Sequence, residues 1–145
     1  MSEGQKIEEI WMRAIPAEKT LTFNNDGIGQ LSLFTITGSV KVKLIAIVKT
    51  NVASAAAGTV SVGIATNVDA IIAVTLATDL DAKEIWHDTS PDSEIESLDT
   101  IRGYLITDGN DITLDILVGQ IDSGVILFKI EWSPIEEGSI LVVVP

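Results

Sequence analysis

The stretch that decides the fold covers residues 31–63: LSLFTITGSVKVKLIAIVKT (31–50), NVASAAAG (51–58) and TVSVG (59–63). Val40, Val42, Leu44, Ala46 and Val48 alternate with Lys41, Lys43, Ile45, Ile47 and Lys49. Side chains that repeat every second residue point to one face of an extended chain, so this is a strand. Its start has one wet face, while its middle is apolar on both faces, as near the centre of a packed sheet. The soft NVASAAAG connection reads as a loop, and residues 59–65 alternate again.

Outward from there the pattern recurs. Residues 19–23 (KTLTF) alternate, and NNDGIG (24–29) supplies an Asp-Gly turn. Residues 70–77 form a strand that sets Ile72, Val74 and Leu76 on one side. Residues 111–118 (DITLDILV) set Ile112, Leu114, Ile116 and Val118 against Asp111, Thr113 and Asp115, the cleanest pattern with one wet face. Residues 125–132 turn Ile126, Phe128, Ile130 and Trp132 inward, and SILVVV (139–144) closes the series. The expectation is an all-β chain: an antiparallel β-sandwich, jelly-roll-like or a closed barrel, of about eight or nine strands with little helix. Its 145 residues suit one domain, residues 1–145, with residues 1–15 as an N-terminal docking arm.

Composition limits the chemistry. The 46% hydrophobic content excludes disorder as the main state. The absence of cysteine removes disulfides, thiolate nucleophiles and Cys-ligated zinc. The first residues, MSEGQKIEEIW, lack the basic and apolar regions of a secretory signal. The apolar runs fall well short of the roughly 20 residues of a membrane span. A net charge of −12 repels nucleic-acid phosphates and anionic membranes, so neither is an expected partner.

Residues 78–100 differ from the rest: they hold Asp79, Asp81, Glu84, Asp88, Asp92, Glu94, Glu96 and Asp99 against one lysine, with only Glu84–His87 strand-like. A long aperiodic segment of this kind reads as an exposed, functional loop. Its carboxylates do not match the calcium spacing of an EF-hand, so a solvated face is the plainer reading. His87 is the only histidine. It lacks a companion nucleophile, and Asp88, as a strand neighbour, should point to the opposite face. One histidine is too few for a usual zinc site. No catalytic residue, metal or cofactor is therefore expected.

Three tryptophans stand out among seven aromatics. Trp132 is in phase with core positions. Trp11 and Trp86 read equally well as core or as interface, and an exposed pair would also suit sugar stacking. The apolar end of the chain completes a sheet or adds to a neighbour's edge. The expected contact residues are Ile7, Ile10 and Trp11 in the arm, Trp86, and Ile140, Val142 and Val144 at the end.

The runs LFTITGSVKVKLIAIVKTNV (33–52), GTVSVGIAT (58–66) and EIWHDTSPD (84–92), the last with its Trp-x-Asp-x-x-Pro spacing, resemble a group of small virion structural proteins of tailed bacteriophages. The resemblance spans roughly residues 31–132 and carries no catalytic signature. It implies a virion location and, most directly, capsid decoration on the outside of a phage head. The partner would be the major capsid protein or another virion protein, and the chain a homo-oligomer, with a trimer favoured. The alternative is a carbohydrate-binding or fibre/tail-associated β-sandwich module.

Overall fold

The computed structural model describes residues 14–145, which form two antiparallel sheets packed face to face. The six-stranded sheet contains β1 (Ile15–Asp26), β3 (Val40–Ala53), β6 (Ile85–His87), β7 (Ser90–Ser93), β8 (Gly103–Ile106) and β10 (Ile121–Pro134). The five-stranded sheet contains β2 (Gly29–Thr37), β4 (Thr59–Ile64), β5 (Asn67–Leu76), β9 (Ile112–Leu117) and β11 (Ile140–Val143). The helical content of the described residues is two single 3-10 turns, Ala77–Asp79 and Leu98–Thr100.

Eight of the strands pair as a nested set: β1 with β10, β2 with β9, β3 with β8 and β4 with β5. The nesting is that of one long antiparallel hairpin folded over so that its pairs fall in two sheets. The β6–β7 hairpin and β11 are additions to it. Two of these, β6 and β7, lie inside the acidic segment that reads as a loop, which is why the strands of the described residues number eleven.

The quoted stretch is central for a physical reason. On one side β3 pairs with β10 along nearly its whole length; on the other it pairs with β8 and then β6. Val40, Val42, Leu44, Ala46 and Val48 are buried between the sheets, Lys41, Lys43 and Lys49 are exposed, and Ile45 and Ile47 are half-buried on the outer side. Phe128 and Trp86 meet in the core with ring centroids 6.4 Å apart and planes tilted by 59°.

Three patterns read from the sequence resolve differently. In β9, Thr113 and Asp115 are buried although they point away from the core, each only 6% exposed. The start of β5 folds back over that side of β4: Ser61 Oγ donates to Val68 O at 2.9 Å, and a Cβ on Gly63 would fall on the carbonyls of Asn67 and Val68. In β5, a register shift against β4 between Val60 and Val62 breaks the alternation. Ile72 and Thr75 are therefore buried, while Val74 and Leu76 are exposed. Val118 leaves the apolar face of β9, because the strand ends at Leu117 and the chain turns.

Candidate interaction surface

The expected contact residues fall in three different places. Ile7, Ile10 and Trp11 lie outside the described residues. Trp86 is a core residue with no exposed surface, and its indole Nε1 donates to Thr75 Oγ1 at 3.0 Å. The residues on either side decide this: Ala46 of β3 pairs with Trp86 and faces inward, so Trp86 does too. With Trp132 also buried, neither described tryptophan offers a sugar-stacking face. Ile140 and Val142 do reach solvent, on the outer side of β11 opposite Thr37 and Thr35. Val144 is half-buried; its N–H donates to Leu33 O at 3.0 Å and its carbonyl accepts from Lys19 Nζ at 2.8 Å. That lysine ties the β1 edge of one sheet to the β11 edge of the other.

The largest departure from the sequence pattern is at one end of the sandwich. Val118 is a β-branched residue at φ 70°, and 68% of it is exposed. Gly119 N–H donates to Leu117 O at 2.8 Å, closing a three-residue turn around it. Turns of this hand are rare and strained, and a branched Cβ makes the left-handed region worse. The turn is held by its neighbours. Gln120 Nε2 donates to Asn25 Oδ1 at 3.3 Å, Ser54 Oγ donates to Gln120 O at 2.6 Å, and Ala55 N–H donates to Asp122 Oδ2 at 2.8 Å. The Gln120 and Ala55 donors also hold the Asp122 carboxyl below its usual pKa. Three connections, β1–β2, β3–β4 and β9–β10, are thus locked into one end that displays Val118, Leu117 and Ile28, the last 63% exposed. An isoleucine between two glycines in NNDGIGQ, in a turn that needs no apolar residue, is the trace of this end in the sequence.

A second cluster surrounds His87. Asp88 adopts φ 47°, so it leaves the strand alternation and swings its carboxylate back to His87, with Oδ2 2.9 Å from Nδ1. This corrects the expectation that strand neighbours must diverge. Asp88 Oδ1 accepts from Tyr104 OH at 2.7 Å, and Oδ2 accepts from Arg102 N–H at 3.4 Å. On the far side of the ring, Nε2 lies 3.4 Å from Glu96 Oε2, a charge contact out of line for a hydrogen bond. Asp88 and Glu96 thus address opposite nitrogens and converge on no common point. Among the described residues no group of three or more His, Cys, Asp or Glu is arranged to hold a metal ion. The cluster pins the acidic segment down. Asp88 O accepts from Ala73 N–H at 2.6 Å, which joins the segment to β5 and the second sheet.

Burial alone would raise the Asp88 pKa, but the hydrogen bonds from His87, Tyr104 and Arg102 outweigh it and hold the carboxyl below its usual value. Burial first, and then the Asp88 carboxylate, push the Tyr104 hydroxyl up to about 12. A depressed carboxylate stabilises the fold above its unfolded pKa of about 3.9, and that stability is lost as pH falls through the folded value. A raised phenol stabilises below its unfolded pKa of about 10 and loses that contribution as pH climbs toward the folded value. Denaturant titrations across pH are expected to show both losses. Asp88→Asn should shrink the acid one and Tyr104→Phe the alkaline one. Unchanged limbs in both variants would show that the cluster does not couple to stability.

No family model and no curated protein matches the chain. Among solved structures, a chain from the acid-stable capsid of Helicobacter pylori bacteriophage KHP30 superposes with a TM-score of 0.53 at 15% identity, over 90% of this chain and 94% of that one. A chain from the Bacillus endospore appendages, a family of disulfide-linked pili, reaches a TM-score of only 0.33 at 6% identity, over 84% of this chain and 91% of that one. The second value is too low to bear on the architecture, so the comparisons establish a fold shared with a chain of a phage capsid structure.

Proposed function

We propose that this chain is a non-enzymatic structural protein of a bacteriophage virion, and that it decorates the outside of the head by binding the major capsid protein. The observation that carries the reading is the end of the sandwich that displays Val118 and Ile28. Holding a branched residue in the left-handed region costs ~1–3 kcal/mol, and glycine or asparagine would fill the same turn with less strain. A displayed, strained valine fits a surface made for a partner. The shared fold with a phage capsid chain supports the class of partner. The charge of −12 keeps a chain with mean hydropathy +0.38 soluble until that contact forms. A closed homo-oligomer, in particular a trimer, suits the threefold positions of an icosahedral head.

The test is co-sedimentation with shells assembled from the major capsid protein of the same phage. The wild-type protein is expected to saturate them at a fixed ratio. Val118→Gly relieves the turn, so it should melt at the same or a higher temperature while binding roughly tenfold more weakly or worse. A wild-type protein that ignores the shells overturns the decoration reading. A Val118→Gly variant that binds like wild type removes this end as the contact.

A further inference from the structure

We propose that the outer face of the six-stranded sheet is the docking surface for a second copy of this chain, with an acidic, apolar ridge of one copy seated in a lysine-rimmed cleft of the other. This rests on the oligomeric part of the reading above and names its surface. The apolar end with Val118 is left free for the shell.

The cleft has a volume of about 420 Å³ and is lined by Lys43, Ile45, Lys129, Pro16, Leu98 and Ile101, among others. The strand registers explain its make-up. Lys129 stands opposite Ile45 of β3 and Glu18 of β1, and Leu127 stands opposite Ile47 and Thr20. An apolar strip of Ile45, Ile47 and Leu127, all half-buried, therefore runs between exposed Lys41, Lys43, Lys49 and Lys129. Glu18 and Glu131 stand beside these lysines on β1 and β10. Lys129 lies 3.5 Å from Glu18, with both side chains more than half exposed. In a chain of net charge −12, lysines outnumber carboxylates around this cleft.

The ridge stands beside the cleft. The segment bearing the Leu98–Thr100 turn crosses this sheet, since Leu98 and Ile101 line the cleft. Glu96 turns inward to His87, and its neighbour Ile95 turns out. Ile95 is 86% exposed and Leu98 79%, the highest values among the large apolar residues described, and the exposed carboxylates of Glu94 and Asp99 flank them. Two apolar anchors between carboxylates match an apolar strip between lysines. Because ridge and cleft sit on one face, the ridge of each copy can seat in the cleft of another, reciprocally about a twofold axis or head to tail in a closed ring. Like-charged copies approach productively only where opposite charges meet, and here they meet around buried apolar area.

The experiment is a charge swap on the full chain, read as solution mass by sedimentation across a dilution series, without shells. Glu94→Lys with Asp99→Lys reverses the ridge, and Lys43→Glu with Lys129→Glu reverses the cleft. All four side chains are exposed, so each variant should melt near the wild-type temperature. Wild type is expected to form a closed oligomer. Each reversal alone should raise the dissociation constant roughly tenfold or more, and the variant carrying all four changes should regain association. A monomeric wild-type protein at about 100 μM would overturn the proposal. So would reversals that leave the mass unchanged, or a fourfold variant that stays monomeric. Shell binding is measured separately, so either reading can fail while the other stands.

Discussion

Trp86→Ala is expected to cost about 4 kcal/mol of folding stability, the cost typical of removing a fully buried tryptophan. The side chain has no exposed surface and packs on Phe128 across the β3–β6 pair. Alanine leaves a cavity between two sheets whose backbones are held by ladders on both sides, so collapse into it is limited. The indole also donates to Thr75 Oγ1, a β5 side chain only 9% exposed, which loses that partner in the variant. A loss of this size is a large share of the roughly 5–15 kcal/mol that a domain has in total. Urea denaturation gives the value directly. Trp86→Phe, which keeps most of the ring volume, should lose clearly less than the alanine variant. A loss below about 1 kcal/mol for Trp86→Ala would place the indole outside the core.

Asp88→Ala should have the next largest effect, about 3 kcal/mol at neutral pH. Removing the shared acceptor of a partly buried hydrogen-bond network leaves the enclosed donors short of a partner, and this costs more than the net worth of each bond. His87 Nδ1 and the Arg102 N–H lose this acceptor together, and the Tyr104 hydroxyl is left with the longer contact to Ile71 O at 3.2 Å. Alanine also suits φ 47° poorly, whereas aspartate and asparagine visit that region readily. Asp88→Asn, which keeps the conformation and one acceptor oxygen, is therefore expected to lose less than half as much. A double-mutant cycle with Tyr104→Phe isolates the shared bond, and a coupling energy near zero would show that the two groups act independently. Because the Asp88 carboxylate holds His87, which faces Glu96, and accepts from the Arg102 N–H, amide exchange over residues 94–102 should quicken in the alanine variant.

Much of this molecule follows from alternation alone. Val40 to Val48, Ile112 to Ile116 and Ile126 to Trp132 read as strands that turn one apolar face to the core, and they do, although in β9 the other face is covered as well. A two-residue period needs only the local backbone and a distinction between water and core, so it is written directly in the residues. The terminal apolar strand was legible as a short apolar run, but not which of its residues, Ile140 and Val142, reach solvent.

What the sequence could not decide depends on where distant segments meet. Trp86 suits core and surface equally until β3 is known to pair with β6. Asp115 and Thr113 look solvated because nothing local shows that the start of β5 folds over them. Asp88 reaches His87 only through a left-handed backbone that period-two reasoning does not contain. The apolar residues of the acidic segment follow the same rule: Glu96 is drawn inward by a histidine nine residues away, and that turns Ile95 out. The sequence by itself determined an acidic, all-β chain and most inward positions of its regular strands, because a strand's own alternation marks the face it turns to the core. Tertiary structure alone decided which apolar residues remain on the surface and beside which charges, because those neighbours are set by long-range pairing.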